Sequence, residues 1–261
     1  ILEKQPKIIG IGVYIWNAFD VGELVKTIKK VSPKTIVILG GPEVSYTPLR
    51  VNFDMADYII SGEGEESLYN LCKDLLEGNC SQPRTIISSK VDFEKIVLPY
   101  DDYTDFDIKN RHIYVENARG CPFECEFCLS SIETKMRYLD IDIFLNEIDK
   151  LWNRGARNFK FIDRTFNIKI SYAKAILGYF LAKEEEYFLH FEVIPDNFPE
   201  ELRDLIKQFK KGALQLEVGI QTLNLDVAKE IRRNLKIDKI KDNLKFLSQE
   251  THAHMHIDLI I

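Results

Sequence analysis

Strand-like and helix-like hydrophobic patterns alternate from one end of this 261-residue chain to the other. That alternation constrains the fold more than any other feature, because parallel strands must be joined by crossover segments, which helices supply. The first unit runs from an apolar β-branched stretch, Ile8 to Ile15, into an amphipathic segment from Val21 to Lys30. There Leu24, Val25, Ile28 and Val31 recur at helical spacing while Glu23, Lys26, Lys29 and Lys30 fill the opposite face. Pro33 ends that helix, Thr35 to Leu39 reads as a buried strand, and Gly40-Gly41-Pro42 stands at its carboxyl end. A third short strand, Asp57 to Ile60, leads through Ser61-Gly-Glu-Gly-Glu65 into a helix reaching Leu76.

From Gly78 to about Arg111 the pattern is broken by Asn79, Pro83, Ser88-Ser89, Pro99 and a run of aspartates, with one hairpin expected around Arg84 to Leu98. This places a first domain at 1–78, a linker at 79–111 and a second domain at 112–261. Five strand candidates follow the boundary: Ile113 to Asn117, Asn158 to Ile162, Phe188 to Val193, Leu214 to Ile220 and His254 to Ile261. Helix candidates separate them at Asp140 to Trp152, Ser171 to Lys183, Pro199 to Gln208, and Leu225 to Ser248 with a break near Asn234. The order βαβαβαβαβ is that of a barrel or part of one. The chain stops inside the fifth strand, and Ile1 opens just before a strand, so the sequence reads as a fragment.

With 45% hydrophobic residues, 29% charged residues and a formal net charge of −6, the chain is neither a disordered tail, nor a disulfide knot, nor a collagen-like rod. An excess of 41 acidic over 35 basic residues leaves nucleic-acid binding unsupported. The longest apolar runs are far below the roughly 20 residues of a membrane-spanning helix. No signal-peptide pattern opens the chain, so the five cysteines read as reduced thiols of a cytoplasmic protein.

Three of those cysteines fall within eight positions, in Gly120-Cys-Pro-Phe-Glu-Cys-Glu-Phe-Cys128, directly after one strand and before a helix. The spacing Cys-x3-Cys-x2-Cys lets Cys121, Cys125 and Cys128 each take one iron of a 4Fe-4S cubane, leaving the fourth iron open. The competing reading is zinc, which in a structural site wants four protein ligands. No fourth cysteine lies at matching spacing, and His112 serves only if the loop folds back over the strand.

At these residues the chain resembles the radical S-adenosylmethionine (SAM) superfamily, over about Ile113 to Ile261. The resemblance implies that the open iron chelates the amino and carboxylate groups of SAM, and that one-electron reduction cleaves SAM to a 5′-deoxyadenosyl radical. It implies an adenine contact at Phe127, ribose contacts from Glu192 in Phe-Glu-Val-Ile-Pro195, and a fourth-strand signature in Leu216-Glu-Val-Gly-Ile-Gln-Thr222 that includes Gln221. Arg233 falls where members carry an arginine for the SAM carboxylate. The usual Gly-Gly-Glu is absent from the second strand, and Asp163 in Phe161-Ile-Asp163 stands in for its amino-group contact. His252, His254 and His256 alternate along one strand, spread over roughly 13 Å, and line it without chelating one ion. Cys72 reads as a small core residue, and Cys80 as an unassigned thiol in a polar loop.

In the first domain, the Gly-Gly-Pro turn lies where open α/β sheets bind ligands. Its glycines let a ligand approach the backbone, and Glu43 or Ser45 can hydrogen-bond it. Together with Asp57 to Glu65, and placed before a radical SAM core, this segment resembles the cobalamin-binding domain of many members of that superfamily. The resemblance implies contacts to cobalamin from Gly40, Gly41, Pro42, Glu43 and Ser45 and from Gly62, Glu63 and Gly64. The Asp-x-His-x-x-Gly signature is absent, which implies cobalt without a histidine ligand, and the domain's first strand and loop are expected upstream of Ile1. A packing or partner-binding Rossmann-like domain is the alternative.

The expected fold is therefore α/β, a partial Rossmann-like domain of the cobalamin-binding type followed by a partial radical SAM (β/α)6 TIM-like barrel. The expected function is reductive cleavage of SAM, with cobalamin-dependent methyl transfer or rearrangement on a small molecule or peptide. A reductant such as flavodoxin or ferredoxin is implied, and no membrane is. Two rivals stand beside it. A radical SAM methylthiolase needs a second cluster with three more cysteines, where Cys72 and Cys80 are the only spares. A zinc or iron-sulfur binding module would be non-enzymatic.

Overall fold

The computed structural model describes residues 1–46, 48–79 and 82–260, and it divides into two compact units, Ile1–Lys95 and Ile96–Ile261. Cys80 and Ile261 lie outside the described residues.

In the first unit, β1 (Ile8–Gly12), α1 (Ala18–Val31), β2 (Ile36–Gly40), the short α2 (Pro42–Ser45), β3 (Tyr58–Ser61), α3 (Glu65–Glu77) and β4 (Thr85–Ile87) follow one another. The four strands form one parallel sheet in the order β1-β2-β3-β4. Strand periodicity sends alternate residues to opposite faces. Ile9, Val37, Leu39 and Ile59 meet Val21, Val25 and Ile28 of α1 on one side. Ile36, Ile38 and Ile60 meet Leu71, Cys72 and Leu75 of α3 on the other, where Cys72 packs partly buried against the core.

The interval 79–111 is not a separate linker, and its described residues form no hairpin. Thr85–Ile87 joins the sheet as a parallel strand beside β3, held by Arg84, whose guanidinium donates to the carbonyls of Phe53 (2.7 Å) and Ala56 (3.2 Å). Residues from Ile96 onward belong to the second unit, where Thr104 and Asp107 form a capping box that starts α4 (Asp105–Asn110). A three-residue strand that borrows its partner from residues 58–61 leaves no local period to read.

The second unit continues with β5 (Ile113–Val115), β6 (Ala118–Arg119), β7 (Arg137–Tyr138), α5 (Ile141–Asn153), β8 (Asn158–Phe161), α6 (Ile170–Leu181) and β9 (Phe188–Val193). It ends with α7 (Glu200–Ile206), β10 (Leu214–Gln221), α8 (Leu225–Glu230), α9 (Ile237–Glu250) and β11 (His254–Leu259). β5, β8, β9, β10 and β11 pair in chain order as a five-stranded parallel sheet, the layout of an incomplete (β/α) barrel, and β6 and β7 form a two-residue antiparallel ribbon. No helix among the described residues is long and apolar enough to cross a membrane.

This sheet has two unlike faces. Phe159, Phe161, Leu189, Phe191, Leu214, Leu216 and Val218 are buried toward the helices. There Phe161 meets Phe144 of α5 at 5.9 Å, Phe180 of α6 at 6.4 Å and Phe191 of β9 at 4.4 Å between ring centroids. The residues between them point the other way, and they are polar: Tyr114, Lys160, His190, Glu192, Gln215 and Glu217.

Phe161→Ala removes the ring shared by three elements and is expected to cost about 3–5 kcal/mol, read as a lower urea midpoint with an unchanged far-UV spectrum below the transition.

Candidate active site

The cysteine loop is closed by backbone geometry that only glycine allows. Gly120 sits at φ 98°, and a Cβ there would fall 2.6 Å from the Lys135 carbonyl oxygen and 3.2 Å from that of Glu133. The close approach lets the Cys121 amide donate to the Glu133 carbonyl at 2.9 Å. The β6–β7 ribbon carries two ion pairs at its base, Arg119 with Glu116 and Arg137 with Glu133, each at 2.7 Å. Further along, the Cys128 amide donates to the Cys125 carbonyl at 3.0 Å, and the Ser131 hydroxyl donates to the Cys128 carbonyl at 2.7 Å.

The loop is also tied to the turn after α8. The Glu126 amide donates to the Ile231 carbonyl at 3.2 Å, and the Arg232 guanidinium pairs with the Glu126 carboxylate at 2.7 Å. Arg232 adopts a left-handed φ of 54°, and the two neighbouring arginines go to different places. Arg233 donates to the Cys125 sulfur at 3.5 Å and to the Gly219 carbonyl, while its Nε is buried with no partner among the described residues.

On β10, Glu217, Gly219 and Gln221 alternate along the less buried face. Gln221 is left-handed at φ 72°, beside a register shift against β11, a conformation that costs a non-glycine residue of order 1–3 kcal/mol. A Cβ on Gly219 would come within 2.7 Å of the Gln221 amide nitrogen, so the glycine is what leaves that side chain its place.

These elements enclose a cavity of about 190 Å³. Of the residues expected from sequence, Cys121, Cys125, Cys128, Phe127, Glu192, Gln221 and Arg233 all line it. Burial pushes the Cys121 thiol above its usual range, and burial raises the Glu192 carboxyl too, partly offset by Arg164 at 3.5 Å. Among the described residues no three His, Cys, Asp or Glu side chains are spaced for a single metal ion.

Asp163 does not reach the cavity. It is 2% exposed, and its carboxylate accepts the backbone N–H groups of Asn117 (3.2 Å) and Ala118, fastening the end of β8 to the segment that enters the cysteine loop. An amino-group contact from Asp163 is thereby corrected to an internal tie. Arg164 and Thr165, one and two residues on, line the cavity instead, as do Glu217 and Asp258. Nothing in local composition separates Asp163 from Arg164; only the turn that ends β8 decides which faces in.

In the first unit, Gly41 at φ 103° would place a Cβ 2.7 Å from the Val13 carbonyl oxygen. Ser45 donates to the Gly41 carbonyl at 2.8 Å and accepts the Gly62 N–H at 3.1 Å, locking the two glycine loops together. Glu63 accepts the Val91 N–H at 2.8 Å, and Glu43 faces Arg50 at 3.7 Å. The hydroxyl of Ser45 and the carboxylate of Glu63, expected as ligand contacts, hold the loops together, with Pro42 opening α2 and Gly64 preceding α3. Backbone groups around Gly40, Gly41 and Gly62 stand at the carboxyl ends of β2 and β3.

Burial raises the Asp163 carboxyl from the ordinary carboxylate range to about 7. Between about pH 4 and pH 7 the folded state therefore holds a proton that the unfolded chain has released, and stability falls as pH rises through that window. The urea midpoint of the natural chain is expected to drop between about pH 5 and pH 7.5 by more than that of Asp163→Asn, whose amide does not titrate.

The description "Radical SAM superfamily" fits residues 116–260, and "B12 binding domain" fits residues 1–72. An uncharacterized methyltransferase of Pyrococcus horikoshii is 27% identical over 190 residues, covering 63% of this chain and 41% of that protein. The chain thus spans about two fifths of that curated relative's length. Among solved structures, the cobalamin-dependent S-adenosylmethionine radical enzyme OxsB, with aqua-cobalamin and S-adenosylmethionine bound, superposes with a TM-score of 0.75 at 18% identity, over 99% of this chain and 41% of OxsB. The radical S-adenosylmethionine methyltransferase TsrM from Kitasatospora setae, with cobalamin and a [4Fe-4S] cluster bound, gives 0.72 at 15% identity, over 97% of this chain and 56% of TsrM. Both share the fold. With the family match covering more than half of its length and three thiols on one wall of the cavity, the chain belongs to the radical SAM superfamily, preceded by a B12-binding-type domain.

Proposed function

We propose that this chain is the cofactor-binding core of a cytoplasmic, cobalamin-dependent radical SAM enzyme that transfers a methyl group or rearranges its substrate. The observation that carries this reading is the single cavity shared by Cys121, Cys125, Cys128, Glu192, Gln221 and Arg233. The donor set fits a 4Fe-4S cluster: three thiols on a loop whose base is clamped by β6 and β7, with a guanidinium already on one sulfur. When bound, the cluster supplies the electron that breaks a sulfonium C–S bond of SAM, and cobalamin supplies methyl-carrying chemistry.

The chain's own residues bind and orient. Arg233 holds a positive charge against the cysteine loop, and its unpartnered Nε is a donor for the SAM carboxylate. Glu192, partly neutralised by Arg164, accepts ribose hydroxyls, Gln221 borders the same space, and Phe127 offers a half-exposed ring to the adenine. The two glycine loops of the first unit, locked by Ser45, would hold cobalamin through backbone groups at Gly40, Gly41 and Gly62. A flavodoxin- or ferredoxin-type reductant is part of the same proposal.

Anaerobic reconstitution of the full-length protein is expected to give roughly four iron and four sulfide per chain, and 5′-deoxyadenosine on reduction with SAM. Cys125→Ala is expected to abolish that product. A fully loaded cluster without product, or zinc near one per chain in place of iron, would sink the proposal. Gly120→Ala, which drives a methyl into the Lys135 carbonyl, is expected to lower iron and sulfide per chain at unchanged far-UV signal.

A further inference from the structure

The loop that follows β1 carries aromatic side chains that the core of the first unit does not use. Tyr14 is 41% exposed, Trp16 75% and Phe19 71%. The rings of Tyr14 and Trp16 lie parallel, with centroids 4.7 Å apart and planes 4° from one another. Stacked aromatic faces attract, and with one face of the indole against the tyrosine the other stands open to solvent.

The turn that presents the pair is closed from three sides. The Tyr14 N–H donates to Asn17 Oδ1 at 2.8 Å, the Asn17 side-chain amide donates to the Gly12 carbonyl at 3.1 Å, and the Asn17 N–H donates to the Tyr14 carbonyl at 3.0 Å. Asn17 precedes α1, yet its side chain caps none of that helix's amides, because the turn holds it. A Cβ on Gly12 would come 3.2 Å from the Tyr14 ring, so the glycine lets the ring settle against the end of β1. Rings fixed before a ligand arrives need little further ordering when it binds.

This turn is continuous with the glycine loops. Gly12 is level with Gly40 in the sheet register, the Val13 N–H donates to the Gly40 carbonyl at 2.7 Å, and the Val13 carbonyl accepts the Glu43 N–H at 3.2 Å. All stand beyond the carboxyl ends of parallel strands, where open α/β sheets take ligands. Backbone groups at Gly40, Gly41 and Gly62 suit the amides and phosphate of cobalamin. They offer no surface to the flat dimethylbenzimidazole base at the end of its nucleotide tail.

We infer that the Tyr14–Trp16 pair is that surface: the base of cobalamin stacks on the open face of the Trp16 indole, with Tyr14 as the backing ring and Asn17 holding the turn. A parallel aromatic stack extends to a third flat aromatic ring, whereas the corrin faces carry axial ligands and projecting side chains. The inference rests on the cobalamin reading and adds to it residues that no glycine signature marks.

The test uses the full-length, cluster-loaded protein, kept anaerobic and freed of corrinoid. Equilibrium dialysis measures its affinity for aqua-cobalamin and for diaqua-cobinamide, the same corrin ring without the nucleotide tail. Trp16→Ala is expected to weaken cobalamin roughly ten- to a hundred-fold and to leave cobinamide unchanged. Trp16→Phe, which keeps a ring, is expected to recover most of that loss. Unchanged cobinamide affinity and iron content show that the variants are folded. Equal weakening of both corrinoids overturns the inference, since the indole then serves the corrin or the scaffold. Unchanged cobalamin affinity in Trp16→Ala overturns it too, the result expected if another part of the protein covers the rings. A natural chain that binds neither corrinoid sinks the cobalamin reading itself and the inference with it, so the two failures are read from different measurements.

Discussion

The second unit depends on one sheet having two incompatible faces. Its aromatic side must be covered by α5 and α6, because Phe159, Phe161 and Phe191 are wholly buried there. Parallel pairing in strict chain order then leaves the polar side facing the cysteine loop. A one-residue slip of β10 would exchange Glu217 and Gln221 for Leu216 and Ile220, emptying the cavity wall and exposing the core together. Packing on one face therefore fixes chemistry on the other.

Where the signal was local, the sequence was readable. Cys121, Cys125 and Cys128 share a loop of nine residues, so their spacing places them, and Glu217-Val-Gly-Ile-Gln221 carries its glycine and its glutamine in one strand, which is placed by its resemblance to the superfamily's fourth-strand signature. The strands of the second unit were equally plain, since apolar runs of four to eight residues bounded by amphipathic helices have few alternatives. The packing of Cys72 against the core is legible from its position on an apolar helical face.

What escaped was decided by partners distant in the chain or by single turns. β6 and β7 are two residues each and take their partners across a gap of 17 residues, which no period can reveal. β4 takes its partner from β3, and Arg84 at its start grips carbonyls before β3, about thirty residues away in the chain. Asp163 and Arg164 are chemically plausible at the same place, and the backbone amides of Asn117 and Ala118 choose between them. Arg232 and Arg233 are adjacent in sequence, and the left-handed residue between α8 and α9 sends the second toward the thiols while the first pairs with Glu126. Ser45 reads as a ligand contact because its second partner, the Gly62 amide, comes from another loop.

The left-handed backbone at Gln221 sets two selective pressures against each other. A glycine there would relieve the torsional cost and make the unit more durable, yet would leave the cavity wall without its amide. Torsional ease and the cavity wall therefore ask for different residues at this position. With glutamine at φ 72° the chain carries the torsional cost and has the amide in the wall.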